Sequence, residues 1–181
     1  MKHLFIFIML ASALVLEAQE PRYQTYSTAL TVAGTKNGSN MEWTNKDINV
    51  VLNNKTGDFK ATINEADFRN SSQKQPEQGE NIFDDGETFL LSGEFPISDL
   101  INQQSVTASY TTELQLTTQD ESLFESIIFN MTVTKPGEGQ ANYRIFVLTG
   151  QLYKDEFDLP AFGGMDNDIE IRLFFNAFWQ D

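Results

Sequence analysis

Apolar and polar residues alternate with period two along most of the chain beyond Arg22, which sets every second side chain on one face of a strand. The pattern is strongest from Ser105 to Thr149. Val106, Ala108, Tyr110, Thr112, Leu114 and Leu116 share one face of a first run, with Thr, Ser, Glu and Gln opposite. Leu123, Ile127, Phe129, Met131 and Val133 share a face of the second. In the third, Tyr143, Ile145 and Val147 fall on one face and Phe146 and Leu148 on the other. The polar stretch Thr117-Thr118-Gln119-Asp120-Glu121-Ser122 and the turn Lys135-Pro136-Gly137-Glu138-Gly139 separate these runs. Proline presets φ and glycine tolerates φ > 0, so the three runs predict an antiparallel meander.

The flanking sequence continues in the same way. Tyr26, Thr28, Leu30 and Val32 mark a strand ended by Gly34-Thr35-Lys36-Asn37-Gly38, with a short strand after it from Met41 to Thr44. Asn37-Gly38 is a type I′ turn signal. Ile48, Val50 and Leu52, then a turn over Asn53 to Gly57, then Phe59, Ala61 and Ile63 predict a hairpin. Residues 69–85 read as a long exposed loop. It closes on Asp84-Asp85-Gly86-Glu87, which lacks the EF-hand spacing and reads as a solvated acidic turn. Phe89, Leu91, Gly93 and Phe95 form a further strand face, and residues 96–101 a short helical turn. After an irregular acidic crossing over 154–168, Ile169, Ile171, Leu173 and Phe175 share one face of a last strand.

No stretch sustains a 3.6-residue apolar period. About eight mostly antiparallel strands predict an all-β fold, a barrel or a sandwich. The barrel is favoured because closure leaves no edge strand to protect. Eight strands enclose an interior that side chains fill or that holds one small ligand.

The first residues change the picture. Lys2 and His3 precede an apolar run from Leu4 to Leu16. At under about 20 residues it is short for a membrane span and fits a signal peptide. Cleavage is expected after Ala18, with Ala11-Ser12-Ala13 as a second small-x-small pattern. Residues 1–18 are therefore read as a leader and 19–181 as one domain, exported to the periplasm or secreted, with no transmembrane anchor.

Charge and composition exclude several functions. Lys+Arg 12 against Asp+Glu 26 gives net −14, a field that opposes phosphate backbones and argues against nucleic acid as a partner. There is no Cys, and the single His is His3, inside the expected leader. The mature chain thus cannot assemble a Ser-His-Asp or Cys-His nucleophile, nor a typical zinc site. Carboxylate neighbours such as Asp155 and Glu156, or Asp166 and Asp168, read as solvated turns rather than acid–base pairs or a Ca²⁺ site. No enzyme activity, metal or cofactor is expected.

Four groups of residues resemble the YceI-like family of exported, lipocalin-like, polyisoprenoid-binding barrels. The hairpin from Asp47 to Ala61 resembles the family's early hairpin, and Thr88 to Phe95 the strand after its long loop. Residues 110–116, 127–133 and 145–152 resemble its central meander, and Glu156-Phe157-Asp158-Leu159 with Asp168 to Ile171 its closing motif and last strand. The chain departs from the family in the turn at 117–122, at Glu156 and Asp158, and in the 69–85 loop. The resemblance implies a barrel that binds an isoprenoid or similar chain.

Two functions follow as expectations. The first is a carrier whose interior is lined by Tyr110, Leu114, Ile127, Phe129, Met131, Tyr143, Ile145, Val147, Ile171, Leu173 and Phe175 and holds a lipid-like ligand. Burial of apolar surface, worth roughly 25 cal/mol per Å², suffices to bind such a chain. The same side chains can equally meet and fill the core. The second is a filled barrel that acts as an envelope scaffold or homodimer through its acidic loops and an outer patch of Phe146, Leu148, Phe174 and Phe178.

Overall fold

A computed structural model describes residues 22–71, 87–120, 124–137, 143–153, 165–166 and 168–178. The expected leader, most of the long loop and most of the acidic crossing, with Asp155 and Glu156, lie outside the described residues. So do the turn positions 121–123 and 138–142.

Ten strands are described: β1 (Arg22–Lys36), β2 (Ser39–Asn45), β3 (Asn49–Asn53), β4 (Asp58–Asn64), β5 (Arg69–Asn70), β6 (Thr88–Glu94), β7 (Thr107–Thr118), β8 (Phe124–Thr134), β9 (Tyr143–Tyr153) and β10 (Asp168–Phe178). A 3-10 turn at Glu65–Asp67 follows β4, and one short helix, α1 (Ile97–Ile101), follows β6. All pairings are antiparallel, in the order β10-β9-β8-β7-β6-β4-β3-β1-β2-β5, and β10 also pairs with β1. That last pairing closes eight strands into a lipocalin-like barrel, with β2 and β5 as a flap beside β1.

One edge of β1 pairs with β10 along most of its length. Its other edge divides: Arg22 and Tyr23 pair with β3, while Leu30 to Lys36 pair with β2. Between those two ladders, hydroxyls replace backbone bonds. Thr25 Oγ1 donates to the Val50 carbonyl at 3.4 Å and Thr28 Oγ1 to the Ile48 carbonyl at 3.1 Å. The hairpin from β3 to β4 turns on Asn53, whose Oδ1 accepts from the N–H of Lys55 at 2.9 Å, an Asx turn. Gly57 holds φ at +88°, and a Cβ there would lie 2.3 Å from the Phe95 carbonyl oxygen, so only glycine fits.

Half of the barrel is filled. Phe59, Phe95, Phe146 and Phe175 form one cluster, with Phe59 stacked on Phe95 and Phe146 on Phe175, each pair 4.6 Å between centroids. Phe59 and Phe175 join the pairs at 5.8 Å. Ile97 and Leu100 of α1 are buried at this end, and the Gln103 amide ties the chain after α1 to the Ser105 and Val133 carbonyls at 3.0 and 3.2 Å.

The structure corrects the faces of β9. Phe146 and Leu148 are fully buried, whereas Ile145 and Val147 are half-buried on the outer face. Directly opposed residues of an antiparallel pair share a face. Phe146 stands opposite Val133 and Phe175, and Leu148 opposite Met131 and Leu173, so the inner faces of β8 and β10 decide the matter. The expected outer patch therefore loses Phe146 and Leu148. Phe174 is half-buried on the outer face and Phe178 is 38% exposed.

Candidate functional site

The other half of the barrel keeps a partly open cavity of about 50 Å³. Leu30 and Val32 of β1, Ile63 of β4, Phe89 and Leu91 of β6, Leu116 of β7, Ile127 and Phe129 of β8, Leu152 of β9 and Ile171 of β10 line it. Glu65 and Phe68, from the 3-10 turn and the residue after it, complete the wall. Eleven of these twelve residues are apolar.

The turn that carries Glu65 is built locally. Asn64 caps it, its side chain accepting from the Ala66 N–H at 3.1 Å. Glu65 bonds across to Glu87: its own N–H donates to the Glu87 carbonyl at 2.9 Å, and the Glu87 N–H donates to Glu65 Oε2 at 3.3 Å. Arg69 Nη1 donates to the Ala66 and Phe68 carbonyls at 2.6 and 2.9 Å, closing the turn behind Phe68. The result sets a buried carboxylate among described lining residues that are otherwise apolar.

A seam in the barrel wall lies beside the cavity. The β8–β9 ladder runs from Thr134 opposite Ile145 to Phe129 opposite Gly150 and stops. Yet β8 stays paired to β7 as far as Phe124, and β9 to β10 as far as Tyr153. Ser126–Ile128 and Gln151–Tyr153 thus form no ladder with each other, and a groove of about 470 Å³ opens there. Ile127 belongs to both the groove and the cavity. Ile128, 66% exposed, and Tyr153 stand on the groove's outer rim.

The residues expected to line the interior separate into groups. Ile127, Phe129 and Ile171 line the cavity. Leu114, Met131, Leu173 and Phe175 are buried, but outside the cavity wall, in packed core. Tyr110 is half-buried toward the α1 end, where burial and the Asp99 carboxylate raise its phenol above the usual range while Arg144 opposes them. Nearby Lys135 is lowered from the usual range by desolvation and by Arg144. Ile145 and Val147 face outward, and the side chain of Tyr143 lies outside the described ones.

Sequence reasoning did not select the remaining wall residues. Leu30, Val32, Ile63, Phe89, Leu91 and Leu116 stand on the alternating faces of their strands and carried a legible signal. Glu65 and Phe68 sit on an irregular turn, where no periodicity marks the inward side. Among the described residues, no group of three or more His, Cys, Asp or Glu is placed to hold a metal ion. Asp166 instead accepts from the Thr35 hydroxyl and donates its N–H to the Thr35 carbonyl at 2.7 Å, pinning the start of β10 to the end of β1.

Comparison with known proteins speaks to the fold. A solved polyisoprenoid binding domain from Saccharophagus degradans, described as implicated in plant cell wall breakdown, superposes with a TM-score of 0.65. The fold is similar to that of a polyisoprenoid binding domain. The match covers 90% of this chain and 100% of that domain at 8% sequence identity, so backbone architecture is shared while side chains are not. No protein-family model matches the sequence, and no curated protein matches it.

Proposed function

We propose that this chain is an exported, non-enzymatic binding protein that holds an isoprenoid or fatty-acid-like chain in the unfilled half of its barrel. The observation that carries this reading is the cavity beyond the four-ring cluster, walled mainly by apolar side chains from seven strands and by Phe68 after the 3-10 turn. The polyisoprenoid-binding role of a domain with the same fold supports it. Export rests on the leader pattern of residues 1–18 and on a mature sequence without Cys.

The cavity volume sets a condition. About 50 Å³ is far below the roughly 300 Å³ at which pockets for drug-sized ligands begin. Uptake of a long chain therefore requires the cavity to widen, and Phe68, Phe89, Leu116 and Ile171, each 7–8% exposed, are its least buried apolar lining residues among those described. The same small volume, with the ring cluster, favours a second reading in which the barrel is a filled scaffold.

Fluorescent-isoprenoid uptake separates the two. The carrier reading predicts saturable one-to-one uptake, and a Leu116→Trp variant that fills the cavity loses affinity about tenfold or more while its urea midpoint shows it folded. Absence of uptake by the wild-type protein contradicts the carrier and leaves the scaffold.

A further inference from the structure

Beyond Phe129 and Gly150, the last pair of the β8–β9 ladder, the residues next in register are Ile128 with Gln151, Ile127 with Leu152 and Ser126 with Tyr153. Their side chains alternate between the two faces of the wall. Ile127 and Leu152, 2% and 3% exposed, line the cavity, while Ile128, Gln151 and Tyr153 are exposed and line the groove. Polar side chains bond along each half of the wall: Ser126 Oγ donates to Glu113 on β7, and the Tyr153 hydroxyl donates to Gln151 Oε1 at 3.3 Å on β9. At this level two apolar side chains divide cavity from groove, with no ladder behind them.

Other described parts of the cavity wall are tied through the backbone. Phe89 and Leu91 stand in ladders with both β4 and β7, Leu116 pairs across to β8, and Ile171 pairs with both β9 and β1. The ladders are also interrupted between β1 and β4, but there β2 pairs with β1, and Nδ2 of the buried Asn45 donates to the Asn64 carbonyl at 2.9 Å. Parting those contacts leaves buried polar groups without partners, whereas turning Ile127 and Leu152 aside breaks no ladder between β8 and β9. The wall therefore opens most readily where a groove of about 470 Å³ already lies outside it.

Resting on the binding reading above, we propose that an apolar chain enters the barrel between β8 and β9 and that the groove is an outer subsite for the same ligand. The cavity takes the leading end. The remainder of a chain too long for about 50 Å³ passes Ile127, which lines both spaces, and lies along Ile128 and Tyr153. Ile128 is 66% and Tyr153 42% exposed, so covering them removes apolar surface from water. Gly150 also lines the groove and adds no side chain to obstruct it.

The chain has no Cys, so an introduced thiol is the only one. Ile128→Cys places it on the groove; Val106→Cys, at a position 67% exposed just before β7, is the control. Exposed substitutions of this kind change stability little, and urea midpoints check that both variants fold. Labelling by fluorescein maleimide is timed on the full chain with and without saturating geranylgeraniol. The ligand slows labelling of Ile128→Cys about tenfold or more, because only the ligand-free fraction reacts, and leaves Val106→Cys unchanged. Once labelled, the Ile128→Cys protein takes up geranylgeraniol about fivefold or more slowly than labelled Val106→Cys. Geranylgeraniol binding that leaves Ile128→Cys labelling unchanged, or that protects both thiols alike, overturns the outer subsite and leaves the carrier intact. No binding of geranylgeraniol by the wild type removes the binding reading itself, and this proposal with it.

Discussion

Gly150 and Gly34 show how differently two glycines of one barrel are constrained. A Cβ on Gly150 would come within 2.9 Å of the Phe129 ring and 3.0 Å of Ile127, both fully or almost fully buried in the inner face of β8. Relief would require the Phe129 ring or the branched Ile127 side chain to shift toward the cavity they line, a larger rearrangement than moving the end of a flexible side chain. A Cβ on Gly34 would meet the Met165 methyl at 2.4 Å, but that is the end of a flexible side chain. Gly150→Ala is therefore expected to destabilise the protein by about 1–3 kcal/mol, the usual cost of overpacking, and Gly34→Ala by clearly less. Urea unfolding of the two variants checks this; equal midpoints contradict the packing described around Phe129. Gly150 also stands where the β8–β9 ladder ends, so its missing side chain makes room for Phe129 and Ile127 beside the seam.

At the scale of elements, β9 is where the chain is hardest to read. Tyr143 to Leu148 contains apolar residues on both faces, and periodicity alone cannot say which set turns inward. Cross-strand pairing decides it, through Val133, Met131, Phe175 and Leu173 on the neighbours. Strands with a clean polar face, such as β4 and β7, were legible from the sequence, and so was the short helical turn after β6. Glu65 and Phe68 were not, since a 3-10 turn of three residues leaves no repeat to detect. The inner face of β9 has a direct energetic signature. Phe146→Ala removes a fully buried ring from the four-ring cluster and costs about 3–5 kcal/mol. Ile145→Ala trims a half-buried outer side chain and costs about 1 kcal/mol. Denaturant titration reads both, and the reverse order would return Ile145 and Val147 to the interior.

For the molecule as a whole, closure and filling pull in different directions. The β1–β10 pairing and the threonine hydroxyls between β1 and β3 complete a ring without disulfides, as a chain without Cys must. The phenylalanine cluster fills one half of that ring, and the other half keeps about 50 Å³ unfilled. A void of this size costs about 1 kcal/mol. That is a small fraction of a typical folding free energy, so selection for stability alone would not have to remove it. What gives the void meaning is its setting: described lining residues that are apolar but for Glu65, and a seam that shares Ile127. The most direct measurement is the native mass of the protein purified from the cells that make it, before and after solvent extraction. The account predicts a one-to-one adduct of lipid mass that extraction removes and that an added isoprenoid or fatty acid restores. A bare mass in both samples, with no adduct after addition of alcohols or fatty acids, would contradict it.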